Sequence, residues 1–237
     1  MNWRLLDSGP NIGAYNMAVD EELLARAQAG ETTPVLRFYT WRPSAVSIGR
    51  FQKIGTAVNA EACRQRGIDI VRRITGGRAV LHNKELTYSI IARADDRLFP
   101  KNVHGTYKII ATGLLQGLRN LGIPAEMVSR SSRNAVLVKK DTKDAACFSS
   151  PSWYEILSHN RKIIGSAQRR LSGAFLQHGS ILLDYDPALE SEVIPGSRSD
   201  DLVTSIDREL GRAVPLEEVK QALVKGFSEA LGIVFQQ

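Results

Sequence analysis

The sequence predicts an α+β fold built on a mixed, largely antiparallel sheet with flanking helices. Three observations predict it. Strand-period stretches come in neighbouring pairs across short turns, instead of alternating strictly with helices. Helix-period segments stand at the start, in the middle and at the end of the chain, where they can cover a sheet. No repeat, low-complexity tract or Gly/Ser/Pro linker divides the 237 residues, which suits one catalytic domain over 1–237 with 184–237 as a mostly helical segment packed on it.

The elements follow in order. Residues 13–29 set Met17, Leu24 and Ala27 on one side of a helix, leave Asp20, Glu21 and Glu22 for the other, and stop at Gly30. Residues 35–41 and 45–49 flank the turn-forming Arg42-Pro43-Ser44 and form a pair of strands. A short helix at 61–65 ends at Gly67, and a strand at 68–71 follows. Strands at 79–82 and 86–93 meet at Asn83-Lys84; the second puts Leu86, Tyr88 and Ile90 on one face and Thr87, Ser89 and Ile91 on the other. A long helix at 103–120 carries Tyr107, Ile110, Ala111, Leu114 and Leu118 at the required intervals and ends before Gly122-Ile123-Pro124. Strand patterns return at 125–128, 135–138, 153–158, 162–166 and 175–183. Pro215, Glu217 and Glu218 start the last helix, because proline costs nothing in a first turn and carboxylates favour its positive end. Its buried stripe is Leu216, Val219, Leu223, Phe227 and Leu231, with Gly232 as the stop.

Hydrophobic residues make up 43% of the chain and charged residues 24%, a globular composition that excludes disorder, collagen and coiled coil. No apolar run reaches the roughly 18 to 20 residues of a membrane span, and the first ten residues lack a signal-peptide core, so a cytoplasmic location is expected. The net charge of +6 is uneven. Residues 1–183 hold 26 basic and 14 acidic side chains, a balance of +12, whereas 184–237 hold 5 and 11, a balance of −6. A basic body with an acidic tail suits nucleic acid, anionic lipid or an acidic protein.

Four segments carry candidate chemistry. In Val71-Arg-Arg-Ile-Thr-Gly-Gly-Arg-Ala-Val-Leu-His82, the pair Gly76-Gly77 lets the backbone approach a ligand and present consecutive amides, with Arg72, Arg73 and Arg78 around it. That suits a phosphate, a carboxylate or a developing oxyanion; a plain tight turn would look the same. It matches neither GxxxxGK[ST] nor GxGxxG. In Asp144-Ala-Ala-Cys-Phe-Ser-Ser-Pro-Ser-Trp-Tyr-Glu155, Cys147 follows Lys139, Lys140 and Lys143, and nearby cations favour a thiolate. Cys63, in the short helix, fits a buried small hydrophobe instead. Lys162 opens Lys-Ile-Ile-Gly-Ser-Ala-Gln-Arg-Arg170, where Gly165 and Ser166 leave room for it as a charge partner, a general acid or base, or an oxyanion donor. His178 stands beside Gly179 in Gln177-His-Gly-Ser180, while His104 and His159 fit the surface. No spacing suits a metal, and none is expected.

In this order the four motifs resemble the biotin/lipoate protein ligase superfamily, and within it the LipM-type octanoyltransferases. The likeness runs from Asn16-Met-Ala-Val-Asp20 to the segment from Val203-Thr-Ser-Ile206 to Gly232, with Cys147 in a Cys-Phe-x-x-Pro-Ser-x-Tyr-Glu context and Arg78 after the glycine pair. The resemblance implies a biotin/lipoate protein ligase-like catalytic domain and an acyl relay in lipoate biosynthesis. Octanoyl moves from octanoyl acyl carrier protein to Cys147, then to a lysine of a lipoyl-domain protein such as the glycine cleavage H protein. It implies Cys147 and Lys162 as catalytic residues. Arg73, Gly76, Gly77, Arg78 and His82 would line one side of the substrate pocket, with Ser166, Ala167, Gln168, His178 and Gly179 opposite. No cofactor is implied, since thioester exchange is nearly balanced.

Three rivals stand beside it. An ATP-dependent lipoate protein ligase on the same fold would need ATP and Mg, but the glycine loop lacks the three-glycine form common in ligases. A lipoyl-domain amidotransferase would also use a cysteine. A basic nucleic-acid-binding module needs exposed aromatics for stacking, whereas Phe38, Tyr88 and Phe227 fall at core positions. No nucleic acid or membrane partner is therefore expected.

Overall fold

The computed structural model describes residues 1–128, 155–197 and 201–236. The strand expected at 135–138 and the first two residues of the one expected at 153–158 lie outside them. The described chain runs β1 (Asn2–Asn11), α1 (Gly13–Ala29), β2 (Val35–Trp41), β3 (Ala45–Ile48), α2 (Ile54–Ala57), α3 (Ala60–Gln65), β4 (Asp69–Arg72), β5 (Val80–His82), β6 (Glu85–Arg93) and α4 (Val103–Asn120). It continues with β7 (Ala125–Met127), β8 (Ile156–Ser158), β9 (Arg161–Arg170), β10 (Ala174–Leu182), α5 (Pro187–Val193), α6 (Ile206–Leu210), α7 (Leu216–Leu231) and β11 (Val234–Gln236).

Among the described residues, eight strands form one sheet in the order β11-β1-β2-β6-β10-β9-β8-β7, and three form a second in the order β4-β3-β5. In the large sheet β1 pairs parallel with β2 and with β11, and the other pairs are antiparallel. This is the mixed, largely antiparallel architecture expected.

Two of the expected strand pairs are instead crossings between sheets. β2 and β3 do not pair with each other: β2 lies beside β6, while β3 pairs parallel with β4 and antiparallel with β5. The chain crosses back between β5 and β6. The reason is burial, since all four residues of β3 are buried and such a strand needs cover on both faces. Between β8 and β9 the chain turns in a two-residue hairpin at His159-Asn160, with both residues at positive φ as a type I′ turn requires.

The core lies between the large sheet and the helices α4 and α7. Leu86, Tyr88 and Ile90 of β6 join Ile110, Leu114 and Leu118 of α4 with Val219, Leu223 and Phe227 of α7. The two helices approach closely because Gly113 stands where any Cβ would overlap the Phe227 ring, and Gly226 lies against the Gly117 backbone. On the opposite face Ile91 meets Leu23, Leu24 and Ala27 of α1 with Leu176 of β10. α1 ends at Gly30, a left-handed cap that a side chain rarely adopts. The C-terminal segment also borders the strand of Lys162: the Lys162 N–H donates to Leu202 O (2.7 Å), and Thr204 N–H donates to Lys162 O (3.0 Å).

Candidate functional site

Three neighbouring strands place one polar residue each in a row. Arg37 on β2 stands opposite Ser89 on β6, which stands opposite His178 on β10. Above the row lies Asp20 of α1, buried and not solvated as the charge pattern had suggested. Its Oδ1 accepts from Arg37 Nη1 (2.7 Å) and Ser89 Oγ (2.9 Å), and its Oδ2 from Tyr39 OH (3.0 Å) and His178 Nδ1 (3.1 Å). Four hydrogen bonds offset the cost of burying this carboxylate.

The direction of the Asp20 shift fixes a pH dependence. Burial by itself would raise its pKa; the His178 hydrogen bond and charge, then Arg37, outweigh burial and hold the group below the ordinary carboxylate range. A depressed carboxylate contributes stability that is complete above its unfolded value of about 3.9 and disappears as the pH falls through the folded value. Stability is therefore expected to fall below about pH 4 in acid titrations followed by denaturant unfolding. Asp20→Asn should flatten that fall, and an equally steep profile in the variant would assign the acid sensitivity elsewhere.

His178 passes the network on to the glycine loop. Its Nε2 lies 2.8 Å from Thr75 Oγ1, which also accepts from Arg73 Nε (3.2 Å). Arg73 is buried and holds the loop from beneath: Nη2 donates to Gly76 O (2.9 Å) and Arg78 O (2.6 Å), and Nη1 to Ser47 O (2.8 Å). Gly77 sits at φ 93°, so a side chain there would be strained. Ser47 Oγ accepts from Arg73 Nη1 (3.1 Å) and reaches His82 Nε2 (2.8 Å). The His82 ring stacks on Trp41 at 4.0 Å. Burial, more than any neighbour, holds the His82 pKa below its ordinary value, so the ring is neutral at neutral pH.

The opposite wall comes from β9 and β10, where Ser166 faces Gly179 and Ala167 faces His178. Gly179 is required, because a Cβ would lie 2.6 Å from Gly165 O and 2.6 Å from the Tyr88 ring. Tyr88 OH bonds Ser166 Oγ (2.7 Å) and accepts from Gln177 Nε2 (3.0 Å), and Gln177 Oε1 accepts from Gln168 Nε2 (3.1 Å). Burial pushes the Tyr88 phenol up to about 12, so it stays protonated.

Between these walls is a narrow cleft. Arg73, His82, Ser166, Ala167, His178 and Gly179 line it, joined by Met17, Tyr39, Trp41, Ser47, Val80, Thr87, Gly165 and Ser180. Its exposed lining is nonetheless almost wholly apolar, because most of these polar atoms bond to one another behind the wall. Such a wall suits an alkyl chain in character, with Ser180 Oγ the one lining hydroxyl that has no hydrogen-bond partner among the described residues.

Of the expected site residues, those six meet at the cleft. Gly76, Gly77 and Arg78 form the loop tied to Arg73, and Gln168 supports the wall through Gln177; these four are not part of the lining. Lys162 does not line it either. It is 1% exposed, and its Nζ donates to Glu155 Oε1 (2.7 Å). Cys147, with Lys139, Lys140 and Lys143, lies outside the described residues. Cys63 is buried in the cluster of Val58, Ile68 and Leu81, and burial raises its thiol pKa.

Asp20 and Glu155 were missed as site residues. The spacing Asn16, Asp20, Leu23, Leu24, Ala27 places Asp20 on the buried stripe of α1 and was the available signal. Glu155 gives no local signal, because its partner is seven residues away across a hairpin. Among the described residues no group of His, Cys, Asp and Glu could hold a metal ion, and no helix is long and apolar enough to cross a membrane.

Comparison with known proteins agrees with this geometry. A family model described as the lipoyl protein ligase A/B catalytic domain matches residues 13–228. The chain is 41% identical to the octanoyltransferase LipM of Geobacillus kaustophilus, over 99% of this chain and 88% of that protein. It is 43% identical to the LipM of Brevibacillus brevis, over 98% and 87%. Among solved structures it superposes with TM-score 0.82 and 29% identity on a lipoate-protein ligase A bound with ATP, covering 100% of this chain and 88% of that one. A putative lipoate protein ligase of T. acidophilum with bound lipoic acid matches at TM-score 0.80 and 28% identity, over 100% and 88%.

Proposed function

The chain belongs to the lipoyl protein ligase A/B catalytic domain family, and from that premise we propose that it is an octanoyltransferase of lipoate assembly. Octanoyl acyl carrier protein is the donor and a lysine of a lipoyl-domain protein the acceptor, the glycine cleavage H protein being the finer assignment. The observation that carries this reading is the likeness, over nearly the whole chain, to LipM octanoyltransferases. The cleft supports it, because its exposed lining is almost wholly apolar, as an eight-carbon chain requires.

The chemistry runs in two balanced steps. The Cys147 thiolate attacks the carrier thioester carbonyl, and collapse of the tetrahedral intermediate expels the carrier thiolate and leaves an octanoyl thioester on Sγ. The acceptor amine then attacks that carbonyl, and collapse of the intermediate expels the Cys147 thiolate, which takes up the amine proton as the amide forms. Each step develops an oxyanion, and the proposed cation for it is Lys162, which Glu155 holds behind the described cleft lining, so that its role requires the ammonium to reach the carbonyl during turnover. His82 and His178 act on the cleft wall; their rings are committed to Ser47, Thr75 and Asp20.

The ATP-bound relative supports one second reading, a ligase on the same fold. A single assay separates them. The purified chain and a lipoyl domain are incubated either with octanoyl acyl carrier protein alone or with free octanoate, ATP and Mg. Modification of the domain in the first mixture is the expected result; modification only in the second makes the chain a ligase.

A further inference from the structure

Phe51 is 84% exposed, more than any other large hydrophobic among the described residues, and Ile54 three positions on is 46% exposed. Single exposed hydrophobics are common on protein surfaces. What distinguishes Phe51 is how firmly its loop is held. Arg72 Nη1 donates to the carbonyls of Gly49 (3.0 Å), Arg50 (3.0 Å) and Gln52 (2.8 Å), and Gly49 N–H donates to Gln52 Oε1 (3.0 Å). The loop is also fastened to the glycine loop of the site. Arg50 N–H donates to Thr75 O (2.9 Å), and Gly49 lies so close to Gly77 O that no Cβ fits between them. The ring therefore projects from a rigid support joined directly to Gly76-Gly77, with the Arg50 guanidinium 5.5 Å from its centroid.

The two segments that form and hold the loop carry charge of one sign. Residues 32–60 contain no Asp or Glu but carry Arg37, Arg42, Arg50 and Lys53, and residues 70–84 contain none but carry Arg72, Arg73, Arg78 and Lys84. Arg50, Lys53 and Arg72 are exposed beside Phe51. An aromatic knob among cations suits an acidic protein that offers a small apolar socket.

We propose that Phe51 and Ile54, with Arg50 and Lys53, are the docking site of the acyl donor, an acidic carrier protein bearing the octanoyl group on a phosphodiester-linked arm. The proposal rests on the octanoyltransferase reading. It commits to the donor because the donor alone brings a phosphate as well as an acidic surface, and Arg50, Lys53 and Arg72 beside the glycine loop supply cations for both. The acceptor domain has the acidic surface without the phosphodiester.

The test separates the two half-reactions in Phe51→Ala and in Arg50→Glu. Acylation is measured by intact mass with octanoyl acyl carrier protein and with octanoyl pantetheine, a small thioester that has neither protein nor phosphate. Transfer from the pre-formed octanoyl enzyme to a lipoyl domain is measured in a single turnover. The expected result is a KM for the carrier protein raised about tenfold or more with kcat kept, and unchanged rates for octanoyl pantetheine and for the acceptor step. An equal loss with octanoyl pantetheine would mean that the loop acts on the chemistry. A loss confined to the acceptor step would give the surface to the lipoyl domain, and an unchanged KM would remove docking altogether; each overturns the proposal. If the wild-type enzyme takes no octanoyl from the carrier protein, the octanoyltransferase reading fails and the proposal falls with it. If the wild type is acylated and the variants match it, only the docking surface fails.

Discussion

Replacing Cys147 with alanine or serine will lower octanoyl transfer by roughly 10⁴- to 10⁶-fold, the scale lost when a covalent nucleophile is removed. A thioester relay needs a thiol, and the chain has two cysteines. Cys63 is 1% exposed, packed among apolar side chains, with a thiol whose pKa burial raises; it offers neither access nor a thiolate. Cys147 remains, preceded by Lys139, Lys140 and Lys143. Cys63→Ala is thus the internal control and should keep its activity, at a modest cost in stability from the smaller side chain. Intact mass after incubation with octanoyl acyl carrier protein should show one octanoyl group in the wild type and in Cys63→Ala, released by hydroxylamine, and none in Cys147→Ala. A hydroxylamine-labile adduct that persists in Cys147→Ala would sink the assignment.

How much of this was readable from the residues depends on how local each cause is. The helix at 13–29 could be bounded to the residue because its stop is a single glycine in a left-handed cap. Residues 86–91 divide between two faces as their sequence predicts, because strand alternation is a two-residue property. β1 has no legible pattern: only Trp3 is buried, its register shifts between Asp7 and Pro10, and its parallel partners are β2 and the distant β11. The crossings after Trp41 and His82 look like hairpin turns locally, and only the burial of β3 on both faces separates them. The same division applies to the site. The glycine loop and the pair His178-Gly179 carry their own pattern, whereas the Arg37-Ser89-His178 row under Asp20 exists only once three strands are in register.

Glu155 and Lys162 allow catalysis to be measured apart from folding. Both are buried, and the ammonium donates to the carboxylate at 2.7 Å. Lys162→Met keeps the length of the side chain but takes the cation away from a buried carboxylate, a change that typically costs about 3 to 5 kcal/mol. Lost turnover in that single variant would therefore mix a weakened fold with missing chemistry. Adding Glu155→Gln removes the remaining charge, and a neutral pair of similar volume is expected to return stability to within about 1 to 2 kcal/mol of wild type. Activity should not return with it. An oxyanion donor typically contributes about 10² to 10³ in kcat, and neither methionine nor glutamine supplies an ammonium. The decisive pair of measurements is the denaturant midpoint and the single-turnover rate of octanoyl transfer in the double variant. A restored midpoint with a rate still down by about 10² or more assigns Lys162 to the chemistry. A restored midpoint with a restored rate makes the ion pair purely structural, and the oxyanion must then be met by another donor.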